Sequence, residues 1–174
     1  MSEYKFCPLC KSKLIFKKEG DFLNPWCKKC DVVYYNNPRP TVSAVIEKGN
    51  QILLTKRAFK PFKDKWDLPG GFLEGKESVE EGLFREIKEE LNIIIKIKKY
   101  LGSYPDLYHH DKAKGFTVNI YFIASIKNGN VKVCDDVKEA KFFNLNNLPR
   151  LAFKNGQHAI KDYLKDAKRP KGLK

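Results

Sequence analysis

Glu86, Glu89 and Glu90 stand at i, i+3 and i+4, a spacing that sets three carboxylates side by side on one flank of a helix. Like charges so close repel unless a cation joins them. Hard oxygen ligands suit Mg2+ or Mn2+, ions usually held through a few carboxylates together with the phosphates of a substrate. The neighbouring residues supply the helix. Ser78 and Glu81 make a Ser-x-x-Glu capping box, and Val79, Leu83, Ile87 and Leu91 recur at four-residue steps. This pattern predicts a helix of about 13 residues, from near Ser78 to near Leu91, with the glutamates on its solvent-facing flank. The Gly70-Gly71 pair precedes it, so the stretch reads as a glycine-rich loop and a helix forming half of a metal-phosphate site.

A second constellation lies at the N-terminus. Cys7, Cys10, Cys27 and Cys30 read C-x2-C, sixteen residues, C-x2-C, which fits a tetrahedral four-cysteine zinc site better than a pair of disulfides. About 40 residues build no core alone, so the metal supplies the folding energy of that segment. Four thiolates leave no open coordination position, and the zinc is therefore structural. Cys134 stands apart and reads as a small apolar residue in or beside a strand.

Composition bounds the rest. The 174 residues suffice for one well-buried domain and a small appendage. No apolar run approaches the roughly 20 residues of a membrane span, and the N-terminus lacks the apolar core of a signal peptide, so a cytoplasmic protein without membrane contact is expected. The net charge is +13, with 29 Lys against 5 Arg. Such an excess has two readings, a nucleic-acid footprint or biased codon usage. No internal repeat, P-loop or Gly-x-Ser-x-Gly elbow competes with the acidic helix.

Along the chain, Tyr34, Tyr35 and the run NNPRP mark a stiff linker ending near Pro40. Thr41 to Glu47 and Gln51 to Arg57 are β-branched runs around Gly49-Asn50, a hairpin signal. Trp66-Asp67-Leu68-Pro69 leads into the glycines. After the helix, Ile93 to Tyr104 and Phe116 to Ile126 read as strands, joined by a polar loop PDLYHHDKAKG that carries His109 and His110. Asp135, Asp136 and Glu139 form an acidic cluster running into a strand, whose alternation points Asp135 and Asp136 to opposite faces. Ala159, Ile160, Tyr163 and Leu164 predict a C-terminal helix covering the sheet, followed by a basic tail.

The stretch from Gly71 to Ile93 resembles the Nudix box, in which Gly, five residues, Glu, seven residues, Arg-Glu, an apolar residue, any residue, Glu-Glu, any residue, Gly and an apolar residue follow in order. Gly71, Glu77, Arg85, Glu86, Ile87, Glu89, Glu90 and Ile93 match. Asn92 stands where the family has Gly, and Asn is the next residue to tolerate the left-handed conformation that closes a helix. The resemblance implies an α/β Nudix fold, a mixed sheet sandwiched between helices, here preceded by a small zinc ribbon. Expected boundaries are 1–36 for the ribbon, 37–168 for the Nudix domain and 169–174 for the tail.

By the same resemblance, Glu86, Glu89 and Glu90 with the Gly70 carbonyl ligate Mg2+ or Mn2+, Glu89 is a ligand or general base, and Glu77 pairs with Arg85 to hold the loop on the helix. Trp66 is a core anchor. The downstream acid-Ala-aromatic pattern adds a further metal carboxylate, Asp136 in preference to Glu139. Candidate substrate contacts are Arg57, Tyr104, Tyr108, His109 and Glu139.

A ribbon ahead of a Nudix domain resembles the NADH pyrophosphatase branch. That branch carries a Ser-Gln-Pro-Trp type motif, where this chain reads Gly102-Ser103-Tyr104-Pro105. The leading expectation is a metal-dependent pyrophosphohydrolase of NADH, NAD, ADP-ribose or a similar dinucleotide. An enzyme processing RNA 5′ ends and a non-catalytic nucleotide sensor or zinc-ribbon adaptor are the alternatives. Expected partners are a small nucleotide, with an RNA 5′ end and a second copy of the chain as further candidates.

Overall fold

The computed structural model describes residues 4–35, 37–110, 113–134 and 136–167, the side chains of 109, 110, 113 and 114 excepted. Asp135, the side chains of His109 and His110 and the expected basic tail lie outside those residues. The chain divides into two compact units, Met1–Asn37 and Pro38–Lys174.

In the first unit, β1 (Ile15–Glu19), β2 (Phe22–Cys27) and β3 (Val32–Val33) form an antiparallel sheet in that order. Its core is small: Cys7, Leu14 and Cys27 are buried, with Cys10, Cys30 and Tyr34 packed around them. Most of its large apolar side chains, such as Phe16, Phe22 and Leu23, remain exposed. Hydrophobic burial alone therefore cannot hold this unit together.

The second unit is built on β4 (Arg39–Lys48), β5 (Gln51–Arg57), β8 (Ile94–His110), β9 (Ala113–Asn128) and β10 (Val137–Asn144), with short strands β6 (Trp66–Asp67) and β7 (Gly70–Phe72) between β5 and helix α1 (Val79–Leu91). The sheet order is β10-β5-β4-β9-β8. β4 runs parallel to β9, and the other pairs are antiparallel, so the sheet is mixed. Strand alternation divides its side chains between two cores. Val42, Ala44 and Ile46 of β4 and Phe122 and Ala124 of β9 pack with Leu83, Ile87 and Leu91 of α1. Val45 and Ile123 on the other face pack with Ala159, Ile160 and Tyr163 of α2 (Lys154–Ala167).

The expected elements form, with two differences. Arg39 and Pro40, read as linker, open β4 and pair with Thr117 and Val118 of β9. The described residues of the expected polar loop after Tyr104 are strand: β8 and β9 stay paired from Ile94↔Asn128 to His110↔Ala113. Long-range pairing with a ready partner overrode the local polarity there. Cys134 lies outside any strand, and its N–H donates to the Glu90 carbonyl.

One feature of the sheet creates the site. β4 and β5 pair only next to their turn, at Ile46↔Leu53, Glu47↔Ile52 and Lys48↔Gln51. Beyond that point they splay, β5 taking β6 (Thr55↔Asp67) and β4 taking β7 (Ser43↔Gly70). The Leu68-Pro69-Gly70 segment bridges the fork and delivers the glycine loop to α1.

Candidate active site

Helix α1 begins as the sequence dictates. Ser78 caps it, its hydroxyl accepting from Glu81 N–H at 3.2 Å while the Glu81 carboxylate accepts from Ser78 N–H at 2.7 Å. Asn92 closes it at φ 52, ψ 33, donating its N–H to Lys88 O. Burial of Leu83, Ile87 and Leu91 against the sheet, worth roughly 1.5–3 kcal/mol each, fixes the rotation of the helix and hence where its glutamates point.

They do not share one solvent-facing flank. Glu89 is exposed, Glu86 is half-buried, and Glu90 is only 7% exposed. Glu90 sits one helical step from the buried Leu83-Ile87-Leu91 stripe, and the incoming loop covers it: Gly70 N–H donates to its Oε2 at 3.1 Å. Gly70 has φ +135, and a Cβ there would lie 2.1 Å from Val42 O, so only glycine brings the chain this close. At Gly71 a Cβ would collide with the Glu86 carboxylate, 2.5 Å away.

Arg85 organises the network. Its Nε and Nη2 grip Glu77 bidentately at 3.0 and 2.8 Å, Nη2 also donates to Phe72 O at 3.0 Å, and Nη1 donates to Glu86 at 2.9 Å and Glu89 at 3.0 Å. That grip holds the Glu77 carboxyl down at about 2. Among the described residues, Glu90 has no such cation. Burial, and then the charge of Asp136, push its carboxyl well up, and burial also raises Glu86.

Asp136 reaches this cluster by backbone hydrogen bonds. Lys132 and Cys134 donate their N–H groups to the Leu91 and Glu90 carbonyls, orphaned at the end of α1, and Ala58 N–H donates to Asp136 O. These bonds lay the segment beside the box. Asp136 precedes β10, so strand alternation does not govern its direction.

Glu86, Glu89, Glu90 and Asp136 line a cavity of about 420 Å³. Gly70, Arg57 and Tyr108 line it too, whereas two expected substrate contacts lie elsewhere. The Tyr104 hydroxyl donates to Asp162 of α2 at 2.9 Å, and Glu139 is tied to Lys56 at 3.3 Å beside the strand edge. Sequence reading named Tyr108 and Arg57 but passed over the Phe72 and Phe153 rings that make an aromatic wall with them. The Tyr108 ring stacks on Phe153 at 6.0 Å and 22°, Phe72 meets Tyr108 edge-on at 5.5 Å, and Arg57 lies over Phe153 at 5.2 Å. These residues come from β5, β7, β8 and the position just before α2, and no motif spacing links them. For the two rings passed over, the signal available was Phe72 directly after the glycines.

In the first unit, one sulfur from each of Cys7, Cys10, Cys27 and Cys30 lies within 4.8 Å of the others. A tetrahedron of Zn–S bonds near 2.3 Å has edges of about 3.8 Å, so the cluster fits zinc. The thiols already perturb one another. The Ser12 hydroxyl brings Cys10 down to about 6, while the adjacent Cys10 sulfur pushes Cys30 up to about 12. Four thiolates could ionise together only around a cation.

Comparison with known proteins agrees with this geometry. The NUDIX domain family model matches residues 37–165. An ADP-ribose pyrophosphatase from Methanocaldococcus jannaschii is 48% identical over 133 residues, 75% of this chain and 76% of that protein. An NAD-capped RNA hydrolase, NudC, from Pseudomonas fluorescens is 28% identical over 86% of this chain, which spans about half (51%) of that relative's length. The crystal structure of a NUDIX hydrolase from Nitrosomonas europaea superposes with a TM-score of 0.77 at 30% identity, covering 94% of this chain and 92% of that one. With a box whose residues meet in space and a family model that runs through most of its length, the chain belongs to the Nudix family of hydrolases.

Proposed function

We propose that the protein hydrolyses the phosphoanhydride of a nucleoside diphosphate joined to a sugar, with ADP-ribose as the foremost substrate. One observation carries the reading. A single cavity joins an acidic wall, made of Glu86, Glu89, Glu90 and Asp136, to a wall of Phe72, Tyr108 and Phe153 flanked by Arg57. The first wall suits a diphosphate only with cations present, and the second offers stacking faces to a base and a guanidinium to a phosphate. The likeness to an ADP-ribose pyrophosphatase points to the same class.

Glu86, Glu89, Glu90, Asp136 and the Gly70 carbonyl are the groups that would hold Mg2+ or Mn2+. The donor set fits: all are hard oxygens, and the buried Glu90 faces Asp136 and Glu86 with one N–H donor among the described residues. Such an ion supplies charge neutralisation at the anhydride and a more acidic water. Glu90 and Glu86 are held in place by Gly70 N–H and Arg85. Glu89 keeps one oxygen on Arg85, which leaves its other oxygen to take a proton from water. The water oxygen bonds to one phosphorus, the bridging P–O bond breaks, and two phosphomonoesters leave.

Removal of an NAD cap from RNA is the second reading, favoured by the likeness to NudC, which extends over 86% of this chain. Parallel assays of ADP-ribose, NADH, diadenosine polyphosphates and NAD-capped RNA with Mg2+ and Mn2+ test both. ADP-ribose is expected to give the highest kcat/KM. A preference for capped RNA that falls steeply with salt would replace it by the second reading.

A further inference from the structure

Deep in the cavity, three polar side chains without a part in the box converge. Tyr121 is 3% exposed and lines the cavity, and its hydroxyl has no hydrogen-bond partner among the described residues. Its ring is fixed against Tyr104 at 5.8 Å between centroids. Asp67 lines the cavity as well, one oxygen accepting from Leu68 N–H at 2.9 Å and the other 3.8 Å from Arg57 Nη1. Both groups face the first turn of α2. A Cβ at Gly156 would stand 3.5 Å from Asp67 Oδ1 and 3.8 Å from the Tyr121 hydroxyl, so the two oxygens approach one point. Asp106, from the part of β8 read as loop, completes the group. Its oxygens accept from Leu107 N–H at 2.8 Å and Asn155 N–H at 3.3 Å.

The three are held by backbone and packing, yet each keeps free hydrogen-bonding capacity. An ionised carboxylate has about four acceptor sites, and a phenol both donates and accepts. Burial pushes the Asp67 carboxyl up to about 7, as expected of an acceptor short of donors. Two acids repel a phosphate, and a base finds its stacking faces at Phe72, Tyr108 and Phe153. A pair of neighbouring hydroxyls fits: each donates to a carboxylate, and one accepts from the phenol, as acidic side chains commonly bind ribose hydroxyls.

We propose that Tyr121, Asp67 and Asp106 form a subsite for the vicinal hydroxyls of a ribosyl unit of the substrate. The proposal rests on the reading of that substrate as a nucleoside diphosphate sugar. It makes these residues determinants of specificity, acting on which sugar is accepted and not on the water attack.

The test measures kcat/KM of wild type, Tyr121→Phe and Asp106→Asn on ADP-ribose, on the methyl ester of ADP, which lacks the second sugar, and on 2′-deoxyadenosine diphosphoribose. Each variant should lose about 10-fold on ADP-ribose, and that penalty should shrink on one of the two analogues. Shrinkage on the methyl ester assigns the subsite to the second sugar, and shrinkage on the deoxy compound assigns it to the nucleoside. Either result supports the proposal. Equal penalties on all three substrates, or none, overturn it while leaving the substrate class standing. A wild type inactive on all three, but active on another phosphoanhydride, overturns the substrate class and the subsite with it.

Discussion

Arg85→Lys keeps the charge and removes the fork, and the network around it gives the size of the effect. All five guanidinium N–H groups of Arg85 are used: two on Glu77 and one each on Phe72 O, Glu86 and Glu89. An ammonium has three. The bond to Glu89 counts little, because that side chain is 48% exposed. Glu77 and Glu86 are 14% and 16% exposed, so bonds to them are sheltered. Lysine cannot keep both arms on Glu77 while serving Phe72 and Glu86. At roughly 1.5–3 kcal/mol for a charged hydrogen bond, Arg85→Lys is expected to cost roughly 2–3 kcal/mol. Arg85→Met, which strands both carboxylates, should cost roughly 3–5 kcal/mol. Arg85→Lys and Glu77→Gln should also fall short of additivity by about 1 kcal/mol or more, since they break the same pair. The assay is urea unfolding followed by Trp66 fluorescence in a Trp26→Phe background, without Mg2+ or Mn2+ and without chelator, so that the cysteine unit is left alone. A lysine variant within about 0.5 kcal/mol of wild type, at unchanged m-value, would refute the reasoning.

Three further outcomes are expected. Glu90→Gln should lower kcat by about 100-fold or more and yet stabilise the metal-free protein. A carboxyl whose folded pKa is raised gives stability that is full below its unfolded pKa and is lost as pH rises through the folded value. Thermal unfolding of metal-free wild type should therefore weaken with pH above about 4.5 more than that of the glutamine variant, and parallel curves would reject the account. Asp136→Asn should lower kcat and shift the metal concentration dependence, whereas Glu139→Gln, whose side chain pairs with Lys56, should do neither; steady-state kinetics across a Mn2+ titration decide. Purified protein should contain one zinc per chain by elemental analysis, and Cys27→Ser should lose it together with the dispersed amide signals of the first unit; retention of both would contradict a zinc-held fold.

Local pattern was enough for everything that obeys a short period. The start and end of α1, the Gly49-Asn50 hairpin and the grouping of four cysteines were all legible, because each depends on residues within a few turns or on a fixed spacing, and the pairing of Glu77 with Arg85 followed from the resemblance. The Nudix box made the family readable for the same reason. The burial of Glu90 was not legible: helical spacing ranks it with Glu86 and Glu89, and only the glycine loop, carried in by the fork between β4 and β5, takes it out of water. Asp136 arrives beside it through backbone bonds to orphaned helix carbonyls, an arrangement that side-chain alternation cannot report. Tyr104 looked like a ligand contact until β8 turned it toward α2, while Asp106 and Tyr108 in a supposed loop became strand positions facing the cavity. Asp67, Tyr121 and Asp106 are 39 and 54 residues apart in pairs with Asp67, and no periodicity joins them. The Nudix box is one contiguous stretch and is therefore written in the sequence. The cavity beside it is assembled from β5, β6, β7, β8, β9 and α2, and comes into being only when long-range strand pairing closes the sheet.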